Sequence, residues 1–202
     1  MPVDPSPFYW DGVGALLDLA VYGLTQVTSV LGPARRVSPL SGISVPERRV
    51  RVCPFHGMTI PVSAPDDNLI LVDFGDATFA VVDGTCNVVG PRSPRMEVFG
   101  LEGTLLVNRD DVVAPPLEVY RREAAPGMAG WISPQTDEIF PVGSYRFAEL
   151  ARGVLIEHLA DCIRDGVQPI ASGRRARHVL EIMLAAQQSA RKGRVVDVVT
   201  TF

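Results

Sequence analysis

The feature that most limits the fold is a central region in which short β-type segments follow one another with tight turns between them. Their side chains alternate with a period of two and many are β-branched, a pattern typical of strands. The predicted strands are 35–45, 48–62, 69–74, 78–82, 96–99, 104–107 and 117–121. The glycine-first pair Gly75-Asp76 suits a type II′ hairpin turn, and Gly100 to Gly103 joins a second hairpin. Strands joined this closely are antiparallel, so a largely antiparallel sheet is predicted.

Helical periodicity is found on both sides of this region. Residues 12–31 are mostly apolar and free of proline, which predicts a helix that ends at Gly32-Pro33. The three- and four-residue spacing of apolar side chains predicts two more helices, from Phe147 to Ile163 and from Ala176 to Ala190, before a last strand at 195–199. The segment 123–141, rich in Pro, Gly and Ser, is predicted to be a long loop.

These elements predict an α+β fold with a large, mostly antiparallel, open-faced β-sheet and helices packed on one face. A single domain is expected over residues 12–202. Residues 1–11 contain several prolines and aromatic residues and are expected to form an extended N-terminal arm.

Both faces of the predicted sheet are apolar. Leu69 and Leu71 point to one side of their strand, while Ile70, Val72 and Phe74 point to the other. Because the helices are expected to cover only one face, we expect the other face to be covered by a second subunit or domain.

One polar stripe runs along the first predicted helix. Asp18, Tyr22, Thr25 and Ser29 fall within about 60° of one another on a helical projection, since their spacings are four, three and four. A carboxylate and a phenol one turn apart can orient a sugar hydroxyl and move its proton. The alternative is structural: Asp18 satisfies a backbone amide, and Tyr22 is a core aromatic residue with its hydroxyl at the surface.

Composition narrows the class of protein. The chain has 47% hydrophobic residues, which excludes a disordered protein, and no apolar run reaches the roughly 20 residues that cross a bilayer, so no membrane partner is expected. A net charge of −4 argues against a nucleic-acid partner. Three cysteines without a disulfide pattern, and no secretory signal over 1–10, favour the cytoplasm.

Other motifs give weaker signals. Gly12-Val13-Gly14 begins like a dinucleotide fingerprint, but Leu17 replaces its third glycine and no strand precedes it, so no cofactor-binding residues are predicted. Cys53 and His56 have metal-like spacing without a second cluster, and no metal site is predicted. A hydrolase would need a nucleophile beside His158 or His178.

Several segments, in order, resemble the C-terminal domain of the Gfo/Idh/MocA oxidoreductases, the glucose-fructose oxidoreductase and inositol dehydrogenase family. The resemblance covers nearly the whole chain. It rests on the opening run 12–22, on Leu31-Gly32-Pro33 with the strand that contains Arg36-Val37, on the hairpin around Gly75, on 97–105, and on the tail segments 165–173, 178–183 and 189–194.

The resemblance implies a site and a reaction. In the family, an Asp and a His or Tyr four residues later lie beside the substrate carbon that exchanges hydride, and Asp18 and Tyr22 occupy these positions. Asp18 and Tyr22 are therefore the predicted catalytic residues, and Asp18, Tyr22, Thr25 and His178 are predicted to bind substrate. Tyr22 in place of His leaves the identity of the catalytic base open.

The resemblance also implies partners. Family members carry an N-terminal Rossmann domain for NAD or NADP, which this sequence lacks, so we expect the cofactor only when such a domain completes the chain and no turnover by the chain alone. The predicted function is the substrate-binding and oligomerisation domain of an NAD(P)-dependent sugar or polyol dehydrogenase, which forms a homo-oligomer through the open sheet face. The alternative is a non-catalytic binding or assembly module that retains the sheet-mediated dimer.

Overall fold

The computed structural model describes residues 3–108, 115–134 and 147–202. The chain divides into two compact units: unit 1 comprises residues 1–89 and 170–202, and unit 2 comprises residues 90–169. Compact units can be parts of one domain, so the single domain over 12–202 stays a prediction. The combination of helices with antiparallel sheets confirms the α+β class.

Unit 1 is built on a four-stranded antiparallel sheet with the order β10-β1-β4-β5 and a separate two-stranded ribbon, β2-β3. Its helices are α1 (Gly14–Asp18), α2 (Ala20–Leu31) and α4 (Gly173–Lys192). Its strands are β1 (Arg36–Gly42), β2 (Glu47–Arg49), β3 (Thr59–Pro61), β4 (Asp67–Gly75), β5 (Thr78–Asp83) and β10 (Val196–Asp197).

The core of unit 1 lies between the four-stranded sheet and helices α2 and α4. Alternate residues of β4 point toward these helices, and Ile70 and Val72 are almost completely buried. Leu24 of α2 and Ile182 of α4 meet them from the helical side. Helices therefore cover one face of this sheet, as predicted.

The other face of this sheet is apolar and exposed, as the alternation predicts. Five large side chains of β1, β4 and β5 project from it, each between 44% and 74% exposed. They are Leu40, Leu69, Leu71, Phe79 and Val81. We call this set the open face.

The first predicted helix is interrupted. Leu19 separates α1 from α2, and the Tyr22 amide bonds the Leu19 carbonyl oxygen at 3.2 Å in a tighter turn. By length and composition Gly14–Leu31 is apolar enough to cross a membrane, but here one side of it is buried against the core through Leu16, Ala20 and Leu24.

The N-terminal arm is not extended throughout, which corrects that prediction. Residues Ser6–Tyr9 form one turn of 3-10 helix, because Pro7 has the φ that suits a first helical turn and Asp4 accepts a hydrogen bond from the Ser6 amide at 2.9 Å. The Tyr9 carbonyl oxygen accepts hydrogen bonds from the backbone amides of residues 63 and 64.

The hairpin between β4 and β5 forms, but not with the predicted type II′ turn. Gly75 pairs with Thr78, so Asp76 and Ala77 are the two turn residues, and both have positive φ (52° and 57°). Positive φ at both central residues is typical of a type I′ turn.

Unit 2 contains a second antiparallel sheet with the order β6-β7-β8-β9 and the helix α3 (Phe147–Asp165). Its strands are β6 (Met96–Phe99), β7 (Gly103–Val107), β8 (Leu117–Ala125) and β9 (Met128–Ile132). Most of the predicted loop 123–141 that the structure describes is therefore strand, and its residues 135–141 lie outside the described part. Among the described residues, the strands form two four-stranded sheets and a two-stranded ribbon, all antiparallel.

Candidate functional site

The polar stripe lies on the solvent side of α1 and α2. Asp18, Tyr22, Thr25 and Ser29 are all exposed, and 67% of the Tyr22 surface is accessible. The opposite side of these helices is fixed by the burial of apolar residues such as Ala20 and Leu24, neither of which is exposed. Packing of the core therefore forces the stripe outward.

The stripe divides into two parts by its hydrogen bonds. The hydroxyl of Thr25 donates to the Val21 carbonyl oxygen at 2.6 Å, and that of Ser29 donates to the Thr25 carbonyl oxygen at 2.7 Å while it accepts from Arg175 Nη1 at 2.9 Å. Within the described ranges, the Asp18 carboxylate and the Tyr22 hydroxyl have no hydrogen-bond partner. These two groups are free to bind a ligand from solution or from another domain.

His178, which the sequence analysis assigns to substrate binding, is instead a core residue. It is completely buried, its Nε2 accepts a hydrogen bond from the Ala34 amide at 2.9 Å, and its Nδ1 lies 3.1 Å from Thr200 Oγ1. Since Nε2 is an acceptor, the proton belongs on Nδ1, which donates to Thr200. Both ring nitrogens are thus used within the protein, which corrects the assignment.

Glu181, itself half-buried, completes the cluster around His178 and Thr200. Its carboxylate accepts hydrogen bonds from the backbone amides of Val199 (2.8 Å) and Thr200 (2.7 Å) and from the Thr200 hydroxyl. Burial lowers the pKa of His178, although Thr200 and Glu181 act in the opposite direction, so the ring is neutral near pH 7. The cluster anchors the C-terminal segment to α4.

Gly14, at the start of α1, serves packing. A Cβ atom on Gly14, whose φ is +74°, would lie 2.6 Å from the Ala64 Cβ atom, so Gly14 allows the helix to start against that residue. A 3-10 turn precedes it where a dinucleotide fold would place a strand, and every strand pair in the described part of the chain is antiparallel. This turn does not match a pyrophosphate-binding loop.

The metal and hydrolase alternatives find no support in the geometry. Cys53 and His56 are both exposed, and the described residues contain no group of three metal-ligating side chains. Cys162 Sγ lies 3.5 Å from His158 Nε2, but Cys162 is only 4% exposed. Buried thiols of this kind are generally unreactive.

A buried ion pair on the edge of unit 1 was missed by the sequence analysis. Asp66, 2% exposed, accepts hydrogen bonds from the amides of Ser44 (2.7 Å) and Val45 (3.2 Å) and from Arg48 Nη2 (2.6 Å). Burial acts to raise the pKa of Asp66, but the hydrogen bonds from Ser44, Arg48 and Val45 act against it, and the pKa is lowered below its usual value. The only sequence signal was the acidic pair 66–67 at the start of β4, and such pairs are common in many proteins.

A cavity of about 240 Å³ was also missed. It lies in unit 1, where the first turn of α1, the start of β4, the end of β1 and the last turn of α4 meet. Ser41 and Asn68 line it on the helix-facing side of the sheet. No local pattern in the sequence marks it, because its walls come from four distant segments.

Comparisons with known proteins agree with the resemblance noted from the sequence. The family model described as the GFO/IDH/MocA C-terminal domain matches residues 1–106, slightly more than half of the chain. No curated protein matches the sequence significantly.

Solved structures share the fold. Levoglucosan dehydrogenase in complex with NADH and L-sorbose is 20% identical with a TM-score of 0.75, and the match covers 98% of this chain and 55% of that one. An NAD-binding oxidoreductase from Klebsiella pneumoniae is 20% identical with a TM-score of 0.74, covering 94% of this chain and 52% of that one. At these identities the likeness shows the fold, and the chain spans about half the length of these structures.

Proposed function

The chain belongs to the GFO/IDH/MocA C-terminal domain family, and from that premise we propose that it is the substrate-binding and oligomerisation domain of an NAD(P)-dependent dehydrogenase acting on a sugar or polyol. The observation that carries the proposal is the exposed pair Asp18 and Tyr22, at the two positions that the family motif predicts. Neither side chain is used by the described part of the protein itself.

The chemistry proposed for this chain is binding and proton handling. Asp18 accepts a hydrogen bond from a substrate hydroxyl, and Tyr22 contacts the same or the adjacent hydroxyl from one turn away. Together they fix the carbon that bears the hydroxyl, and one of the two receives its proton. Thr25, whose hydroxyl proton is held by Val21, has only its oxygen lone pairs left for a ligand.

The nicotinamide cofactor, when bound, accepts or supplies the hydride. We assign its binding to a Rossmann domain outside these residues, because Gly14 packs against Ala64 and a 3-10 turn, not a strand, precedes α1. Such a domain, in the same or a separate polypeptide, would also cover the exposed stripe and exclude water from it. The chain alone is then a binding domain without turnover.

The substrate class is supported by the neighbours. Levoglucosan dehydrogenase has been solved with levoglucosan and with L-sorbose, and both matches cover more than 90% of this chain. Cytoplasmic location is proposed as well, since Cys53, Cys86 and Cys162 are all free thiols.

Oligomerisation is assigned to the open face of the unit 1 sheet. Its five exposed apolar side chains form a contiguous surface across three paired strands, which favours burial against a second copy. This feature alone also supports the alternative function, a non-catalytic assembly module that keeps the dimer. The two functions differ in whether Asp18 binds a sugar.

The proposal is tested by titrating the full chain with levoglucosan and recording amide shifts by NMR. Saturable shifts are expected around residues 18–25, and Asp18→Asn should weaken binding about 10-fold or more, because hydrogen bonds to charged groups are the strong ones. Asp76→Asn, which makes the same change at an exposed carboxylate in a turn, is the matched control. Equal affinities of the two variants would refute the role of Asp18 and favour the assembly module.

A further inference from the structure

Arg175 connects helix α4 to one end of the polar stripe. Its Nη1 donates to the Ser29 hydroxyl at 2.9 Å, and its guanidinium carbon lies 4.5 Å from the centroid of the Phe202 ring. A hydrogen bond and an aromatic face therefore hold the guanidinium in place. Because Ser29 is the last residue of the stripe, this cation is fixed at the end opposite to Asp18.

Most of the hydrogen-bonding capacity of Arg175 is unused. A guanidinium has five N–H donors, and among the described residues only Ser29 accepts from one of them. The residue is half-buried, so the guanidinium is supported by the protein without being sealed in the core. A planar guanidinium with free N–H groups is suited to bind two oxygens of a phosphate or a carboxylate.

The positive charge around Arg175 is not compensated. Arg174 and Arg177 lie within one turn of it, and none of the three forms an ion pair with a residue that the structure describes. The first turn of α4 has no acidic residue, and the carboxylate of Glu181 is bonded to the amides of the C-terminal segment. Like charges this close repel one another, so a bound anion would stabilise the group.

The length of the stripe indicates how such an anion is presented. Tyr22 and Ser29 are separated by about 10 Å along α2, at about 1.5 Å per residue. An inorganic anion is too small to contact both ends, whereas a sugar with a phosphate or carboxylate on its terminal carbon bridges this distance.

The carboxylate of Asp18 does not oppose an anion at Arg175. Asp18 and Ser29 are eleven positions apart, which corresponds to roughly 16 Å of helix. This separation exceeds the Debye length of about 8 Å at physiological ionic strength, so repulsion between exposed charges is largely screened. One end of the stripe can therefore bind a hydroxyl while the other end binds an anion.

We propose that Arg175 selects substrates with an anionic group, so that the sugar or polyol bound at Asp18 and Tyr22 carries a phosphate or a carboxylate at its other end. This inference rests on the function proposed above and specifies its substrate class. Arg175 binds the anionic oxygens, while Ser29 and Phe202 orient its guanidinium. Arg175 is thus a specificity-determining residue and takes no part in proton transfer.

The inference is tested by titrating the full chain with glucose 6-phosphate, gluconate, glucose and inorganic phosphate, and recording amide shifts by NMR. At least one of the two anionic sugars should bind about 10-fold more tightly than glucose, because hydrogen bonds to charged groups are the strong ones. The anionic sugar that binds more tightly identifies the anionic group. Its shifts should appear both at 18–29 and at 173–177.

Three variants isolate the role of the guanidinium. Arg175→Gln should abolish the preference for the anionic sugar and leave the affinity for glucose unchanged. Arg175→Lys keeps the charge without the paired N–H donors and should retain part of the preference. Arg51→Gln, which removes an exposed arginine elsewhere in unit 1, is the matched control and should bind like the wild type.

Three results would overturn the inference. The first is equal affinity for glucose and for both anionic sugars. The second is an equal loss of the preference in Arg175→Gln and Arg51→Gln, which would show an effect of overall charge. The third is binding of inorganic phosphate at 173–177 without tighter binding of either anionic sugar, which would show an adventitious ion only.

Asp18→Asn separates this inference from the proposed function. It should weaken the binding of glucose and of glucose 6-phosphate by the same factor. A loss in Asp18→Asn without a loss in Arg175→Gln would refute the role of Arg175 alone. Unchanged sugar binding in Asp18→Asn would refute the proposed function itself.

Discussion

Replacing His178 by alanine offers the most demanding test of the core of unit 1. The ring is completely buried and accepts the Ala34 amide, so the variant leaves that amide without a partner in the core. A stranded buried amide costs about 1–3 kcal/mol, and loss of a buried ring of this size adds about 2–3 kcal/mol through the cavity it leaves. We expect the free energy of unfolding of unit 1 to fall by about 3–6 kcal/mol.

The assay is urea unfolding followed by tryptophan fluorescence. The chain has two tryptophans, Trp10 in unit 1 and Trp131 in unit 2, so a Trp131→Phe background makes the signal specific to unit 1. His56→Ala, at an exposed histidine, is the control and should change stability by less than about 0.5 kcal/mol. If His178→Ala fails to fold, Thr200→Val is used instead, because it removes only the hydroxyl that bonds His178 and Glu181 and should destabilise unit 1 less.

The contribution of His178 to the free energy of unfolding should also depend on pH. Because the pKa of His178 is lowered by burial, folding favours the neutral ring, and the unfolded chain binds the proton more readily. Stability from this residue is therefore fully present above the ordinary pKa of about 6.5 and is lost as the pH falls below it. Equal stabilities of the His178→Ala and His56→Ala variants, or an unchanged pH slope in the former between about pH 7.5 and 5.5, would refute this reasoning.

Three further predictions follow from other parts of the structure. Asp66→Asn should destabilise unit 1 by about 3 kcal/mol, because it leaves Arg48 partly buried without its counter-charge. Urea unfolding measures the loss of stability, with Asp76→Asn as the control. Equal losses in the two variants would contradict the prediction. NADH fluorescence should not change when the full chain is added, and saturable cofactor binding would contradict the assignment of the cofactor to another domain. Leu71→Lys on the open face should convert a dimer to a monomer in light scattering, and a wild-type chain that is already monomeric at micromolar concentration would refute the sheet-mediated dimer.

Elements with strong local signals were predicted well. Helix α4 begins after Ser172, whose hydroxyl accepts a hydrogen bond from the Arg175 amide at 3.3 Å, and ends at Gly193 in the left-handed conformation. Gly193 and the basic last turn were visible as sequence signals. The hairpins were equally visible, since they depend on alternation and on a turn over a few residues.

Features that depend on distant contacts were not predictable in the same way. His178 was assigned to substrate binding because nothing near it in sequence identifies Ala34, 144 positions away, as its partner. Burial along α4 also does not follow hydrophobicity: Leu180 is 47% exposed, whereas Ser189 is buried and donates to the Arg194 carbonyl oxygen at 2.6 Å. Polar residues that are satisfied locally can occupy core positions, and hydrophobicity alone does not reveal them.

The turn at Asp76-Ala77 shows a different limit. Alanine rarely adopts positive φ, so the sequence favoured a turn at Gly75-Asp76. The structure places the turn one residue later, at Asp76-Ala77. The stripe itself was predicted from periodicity, and the structure leaves its side chains exposed to solvent. Whether Asp18 and Tyr22 bind a sugar stays a prediction.

The division of the chain has a consequence for how it is made. Unit 1 is assembled from residues 1–89 and 170–202, and its edge strand β10 pairs with β1 across some 160 positions of sequence. A ribosome therefore completes all of unit 2 before the last strand and the Glu181 cluster can close the first core. Until then the nascent chain carries an incomplete sheet whose β1 edge is unpaired. The nascent chain is therefore most prone to aggregation, and most available to chaperones, during its synthesis.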